Sequence, residues 1–136
     1  MVVAFDAVGP SSSATSATSG TTLTWSHTCG ASATLLVVDV ALPRTIAINP
    51  VSATYNGVAM TFIDSQAANN GTDGYIASFA IVNPSTGANN VVVTTTGPAF
   101  NSGNPAEGGS TSYTGSDTTS VAAAIDNIVK AAAISG

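Results

Sequence analysis

Between Thr21 and Leu42 the chain reads TTLTWSHTCGASATLLVVDVAL, and no other stretch limits the fold as tightly. From Leu23 to Cys29 the larger side chains fall on every second residue, Leu23, Trp25, His27 and Cys29, with Thr24, Ser26 and Thr28 between them. A repeat of two residues puts all four on one face of a strand, which predicts burial of that face and exposure of the other. Gly30-Ala31-Ser32 breaks the pattern. Leu35 to Leu42 follows, apolar on both faces apart from Asp39, as expected of a central strand covered on both sides. The only Trp, the only Cys and the only His of the chain all lie in this stretch.

The remaining segments repeat the same period. Val2 to Val8 predicts a first strand at a sheet edge, with Val3, Phe5 and Ala7 on one face and Asp6 on the other. Ser11 to Gly20, SSSATSATSG, is low in complexity and predicts a loop or a linker lying on the surface. Arg44 to Pro50 predicts a short edge segment ending before Pro50, or an excursion between sheets. In Val51 to Ile63, Asn56-Gly57 between two alternating runs predicts a type I′ hairpin, because both turn positions need positive φ. That register sets Tyr55 against Val58, Ala53 against Met60 and Val51 against Phe62, with Ser52, Thr54, Ala59 and Thr61 on the opposite side.

Asp64 to Gly74 predicts a polar loop, Tyr75 to Val82 a strand, Asn83 to Gly87 a turn, and Asn90 to Thr96 a β-branched strand. Gly97 to Gly109 is rich in Gly and Pro and predicts a long exposed loop before a weak strand over Ser110 to Thr114. From Thr119 onward Val121, Ala124, Ile125, Ile128, Val129 and Ala132 recur every three or four residues, which predicts a C-terminal helix capped by Asp117 or Ser120. A strand over Asn127 to Ile134 is the alternative. The expected architecture is one all-β domain over residues 1–136, an antiparallel β-sandwich of jelly-roll or immunoglobulin-like topology, with the loop at 11–20 and a tail at 116–136.

Composition narrows the function. Charged residues make up 7% of the chain and the net charge is -5, with Arg44 and Lys130 its only basic residues. A chain this poor in cations does not neutralise a phosphate backbone, so nucleic acid is not an expected partner. One Cys precludes an internal disulfide. The apolar run Leu35 to Val38 is far too short to span a bilayer, and no other run exceeds five residues. The amino terminus lacks the basic and apolar regions of a secretory signal, so synthesis in the cytoplasm is expected and Asn70-Gly71-Thr72 is not expected to be glycosylated.

The side chains with chemical potential are few. His27 and Cys29 point to one face about 7 Å apart, but zinc takes three or four ligands and a nucleophile needs an orienting third group. Both are expected to pack in the core. Asp39 among aliphatic neighbours invites an acid-base role, yet alternation places it with Leu35, Val37 and Ala41, facing solvent, an interface or loop amides. Asp64, Asn69, Asn70 and Asp73 could offer oxygens to calcium without matching a known loop spacing. Trp25, Tyr55, Tyr75 and Tyr113 are expected to fill the core. No catalytic, cofactor-binding or metal-binding residue is assigned, and no enzymatic activity is expected.

Taken in order, LTWSHTCGASATLLVVDVAL, VSATYNGVAMT, NPSTGANNVVVT and TSYTG resemble a Gly- and Thr-rich β-sandwich domain of tailed-phage virion proteins, especially those of actinobacterial hosts, over roughly Thr21 to Gly115. The resemblance implies a non-enzymatic subunit on the outside of the particle, decorating the head, serving as a minor capsid protein or appended to the tail. Its partners would be the major capsid protein lattice, copies of itself or, on a tail, host surface glycans. Related domains continue with further strands where this chain has only SDTTSVAAAIDNIVKAAAISG, so the tail or a neighbouring subunit is expected to cover an open edge.

Overall fold

The computed structural model describes residues 2–10, 15–43, 51–68 and 74–126. They form an antiparallel β-sandwich with strands β1 (Ala4–Gly9), β2 (Thr15–Ala17), β3 (Thr22–Cys29), β4 (Ala33–Leu42), β5 (Ser52–Tyr55), β6 (Val58–Ala59), β7 (Thr61–Ala68), β8 (Gly74–Val82), β9 (Gly87–Thr94) and β10 (Ala106–Thr114). A single helical turn, α1 (Val121–Ala124), follows. One sheet has the order β1-β10-β4-β8-β7, with β2 also paired to β10, and the other has the order β3-β9-β5-β6. The expected segments Arg44 to Pro50 and Asn127 to Ile134 lie outside the described residues.

The topology follows from nesting the chain about the β5–β6 hairpin. Working outward, β5 pairs with β6, β4 with β8, β3 with β9 and β2 with β10, and successive pairs alternate between the two sheets. This is the double Greek key of a jelly roll, which decides between the two topologies that the sequence left open. Asn56 and Gly57 have φ of 49° and 74°, as the type I′ turn requires. Met60 N–H still bonds to the Ala53 carbonyl at 2.9 Å. Beyond Met60 the strand leaves its sheet, so Phe62 pairs with Phe79 of β8 in the other sheet and not with Val51. Ser52, Thr54, Ala59 and Thr61 do lie on the side away from the core, whereas Val58 is exposed at the hairpin tip.

β3 buries Leu23, Trp25, His27 and Cys29 and exposes the residues between, as the alternation requires. Beside them in the same sheet lie Val91 and Val93 of β9, and opposite lie Leu36, Val38, Val40 and Leu42 of β4 and Ala77 and Phe79 of β8. Each fully buried aliphatic or aromatic side chain contributes about 1.5–3 kcal/mol of transfer free energy. β4 is covered on both faces only at its start, where Leu35 is buried. Asp39 and Ala41 lie exposed on its outer face. Ala80 of β8, on the same outer face, is also buried, and α1 lies against β8. Ser120 caps α1 by accepting the Ala123 N–H at 3.0 Å, one of the two caps expected. The described helix is a single turn with no fully buried residue; Val121 and Ala124 are half-buried and Ala122 and Ala123 exposed.

Three segments depart from the expected boundaries. Thr15–Ala17 of the low-complexity stretch forms β2 on β10, because Ser and Thr backbones complete a ladder without apolar side chains. Asp64 to Ala68 continues β7 and is not loop, its polar residues lying at a sheet edge. Ala106 to Gly109 begins β10 and is likewise not loop. The inward face of β10 consists of Ala106, Gly108, Ser110 and Ser112, the small counterpart to the large residues of β3. A Cβ on Gly108 would come within 2.9 Å of both Leu23 and Trp25, so only glycine leaves room for them.

Candidate functional site

The polar centre of the molecule lies where β1, β3 and β10 meet. β3 supplies Trp25 and His27, β10 supplies Ser110 and Ser112, and β1 supplies Asp6 and the Gly9 carbonyl. Asp6 was expected opposite Val3 and Phe5, and it is. A register shift falls between Phe5 and Ala7, and Asp6 faces the interior, while Val3 and Phe5 are 57% and 64% exposed. Strand β1 thus turns its polar side to the interior and its apolar side outward.

The hydrogen bonds form a continuous chain. Trp25 Nε1–H donates to Ser110 Oγ at 2.9 Å, and His27 Nδ1 is 2.8 Å from the same oxygen. His27 Nε2 is 2.9 Å from Ser112 Oγ, which donates to Asp6 Oδ2 at 2.6 Å. Asp6 Oδ2 also accepts the Gly30 N–H at 2.9 Å. Gly9 closes over the ring, where any Cβ would lie 2.7 Å from His27 Nδ1.

Proton bookkeeping assigns the tautomer. The bonds from Ser112 and Gly30 hold the Asp6 carboxyl below its ordinary pKa, so it accepts only. Burial lowers the His27 pKa, with the Asp6 charge acting in the opposite direction, and the neutral ring is favoured. The single Ser112 proton therefore goes to Asp6, His27 donates from Nε2, and Nδ1 accepts from Ser110. Should His27 gain a proton, Ser110 has a second acceptor in Gly9 O at 3.1 Å. Every buried side-chain nitrogen and oxygen among the described residues has a hydrogen-bond partner.

Carboxylate, hydroxyl and imidazole in series suggest a proton relay, but the ring is 1% exposed, Ser112 is fully buried and Ser110 is 6% exposed. The imidazole and both hydroxyls are enclosed, whereas Asp6 is half-buried. The arrangement joins β1 to both sheets. Cys29 is buried beside it, and burial raises its thiol pKa, which keeps it protonated. Tyr55 fills the core as expected, its hydroxyl within 3.1 Å of the Ser85 and Gly87 carbonyls and 3.3 Å of His27 O. Tyr75 and Tyr113 are only half-buried, and Tyr113 stands on the outer face of β10 beside Phe5.

Asp39 is exposed and accepts a hydrogen bond from Ser78 on the neighbouring strand. It borders a shallow depression of about 240 Å³ with Ala41, Ile76 and Glu107. Asp64 lies in β7, where its carboxylate accepts the Ser65 N–H at 2.8 Å, and Asn69, Asn70 and Asp73 lie outside the described residues. Among the described residues no three His, Cys, Asp or Glu side chains are placed to share a metal ion, and no helix is long and apolar enough to cross a membrane.

A second depression, of about 440 Å³, opens on the outer face of the four-stranded sheet and is lined by Thr54, Asn56, Ala88, Asn89, Asn90 and Val92. Sequence reasoning missed it, as it missed Ser110 and Ser112, because isolated Asn and Ser residues on strands ordinarily mark solvated surface. The hint was the alternation of Ala88, Asn90 and Val92 along one strand. Comparison with protein-family models, curated proteins and solved structures returns no match.

Proposed function

We propose that this chain is a non-enzymatic structural protein of a tailed-phage virion, a decoration or minor capsid subunit on the outer surface of the head. Its partners on this reading are the major capsid lattice and copies of itself. The observation that carries it is the exposed apolar edge of the sandwich. Val2, Val3, Phe5 and Val8 are four of the seven large exposed hydrophobic side chains among the described residues, and all belong to β1 or its lead-in. Such a strip suits a contact surface. Repetition over a lattice compensates for weak single contacts. The groups with chemical reactivity, His27 and Cys29, are meanwhile enclosed and engaged in packing.

Quantitative mass spectrometry of purified particles, with cryo-electron microscopy to place the chain, tests this reading. The expected result is a copy number on the scale of the capsid lattice, lowered when Phe5 and Val3 are replaced by Ser. Absence from the head overturns it. A handful of copies at the tail supports a second reading, an adhesion module for host glycans, which the uncharged outer face of the four-stranded sheet favours.

A further inference from the structure

We infer that the depression beside the Asn56-Gly57 turn is a binding site for a neutral saccharide. This deepens the adhesion reading and rests on it.

The site lies on the outer face of the four-stranded sheet, where the outward residues are uncharged throughout. In register across β3, β9 and β5 they run Thr22, Thr94, Ser52 in one row and Thr24, Val92, Thr54 in the next, followed by Ser26 beside Asn90 and Thr28 beside Ala88. The turn forms one wall, held against β9 by the bond from Asn56 N–H to the Asn90 carbonyl at 3.0 Å.

Asn56 Nδ2 donates to Ser85 Oγ at 3.2 Å. With that N–H engaged within the protein, Asn56 keeps its carbonyl oxygen for a ligand, while Asn90 offers both an acceptor and a donor pair. Asn89, in register with the buried His27, turns its side chain to the inner face, where Nδ2 is 3.4 Å from the Tyr55 hydroxyl. Ala88 and Val92 supply small apolar contacts between them.

That chemistry selects the ligand class. An anion would meet amide oxygens and no cation, and a cation would meet no carboxylate, because no ionisable side chain lines the depression. A molecule whose polar groups are mostly neutral hydroxyl donors on an apolar ring satisfies both the amide oxygens and the Ala88 and Val92 surface. The volume, about 440 Å³, accommodates a short oligosaccharide. An open depression without an aromatic platform binds weakly, and multiple copies on one particle make up for it.

The test is a ¹⁵N–¹H titration of the intact chain with maltotriose, cellotriose, mannotriose and chitotriose, with sialyllactose as the anionic control. At least one neutral trisaccharide is expected to shift the side-chain amide signals of Asn56 and Asn90 together, with no change on adding EDTA. Asn90→Ala is expected to weaken that binding about tenfold, the loss of a hydrogen-bonding group. Thr54→Val, which keeps the strand shape, provides a second variant and is expected to weaken it similarly. Shifts confined to another surface, or binding abolished by the chelator, overturn the site while leaving the adhesion reading intact. No response to any of the five sugars overturns both.

Discussion

Gly108 lies directly against the indole of Trp25, so close that a Cβ on Gly108 would sit 2.9 Å from ring atom Cη2. The largest side chain of β3 is thus accommodated by the absence of one on β10. Gly108→Ala is expected to destabilise the fold by about 1–3 kcal/mol through overpacking. Equilibrium denaturation in urea measures the loss. Trp25 fluorescence, expected to be blue-shifted in the native protein because the ring is 4% exposed, is expected to move in the variant.

Stability is expected to fall with acid in two windows. Burial sets the folded His27 pKa below its ordinary value of 6.5, so below that pH the unfolded chain takes up a proton that the folded one refuses. Stability declines until the folded pKa is passed. Asp6 is also lowered, from 3.8, and its contribution is present above that pH and lost as the pH falls further. Melting temperatures across the acid range test both. Asp6→Asn is expected to flatten the lower window and leave a decline in the upper one.

Tyr55→Phe removes a hydroxyl that sits among three backbone carbonyls in a residue only 1% exposed. Leaving those acceptors without their donor is expected to cost about 1–3 kcal/mol. In urea the transition midpoint falls with its slope unchanged, since the buried area is almost the same.

Cys29 is expected to resist thiol reagents in the native state, because it is buried and its thiol pKa is raised. Labelling with Ellman's reagent is expected only after unfolding, so its rate reports the opening of the sandwich. Rapid labelling of the folded chain is incompatible with this packing.

Much of the architecture was legible because a strand side chain alternates in a way that burial makes visible. Leu23, Trp25, His27 and Cys29 identified β3, Leu35 to Leu42 identified β4, and Asn56-Gly57 identified its turn. What escaped notice lies where the pattern carries no size contrast. The start of β10 reads as loop because Ala106, Gly108 and Gly109 are small, and β2 reads as low complexity because Thr15 and Ser16 are polar.

The order of residues by itself determined which faces of β3 and β4 turn inward, since period-two burial is a local property of the chain. Only the tertiary structure decided what those faces meet: that Asp6, distant in sequence, reaches His27 through Ser112, that strands pair in a jelly roll, and that Asn56, Asn89 and Asn90 share one depression. Such pairings depend on strand register between remote segments. Backbone hydrogen bonds, alike for every residue, favour no one register, and the fit of β3's large side chains over β10's small ones selects it.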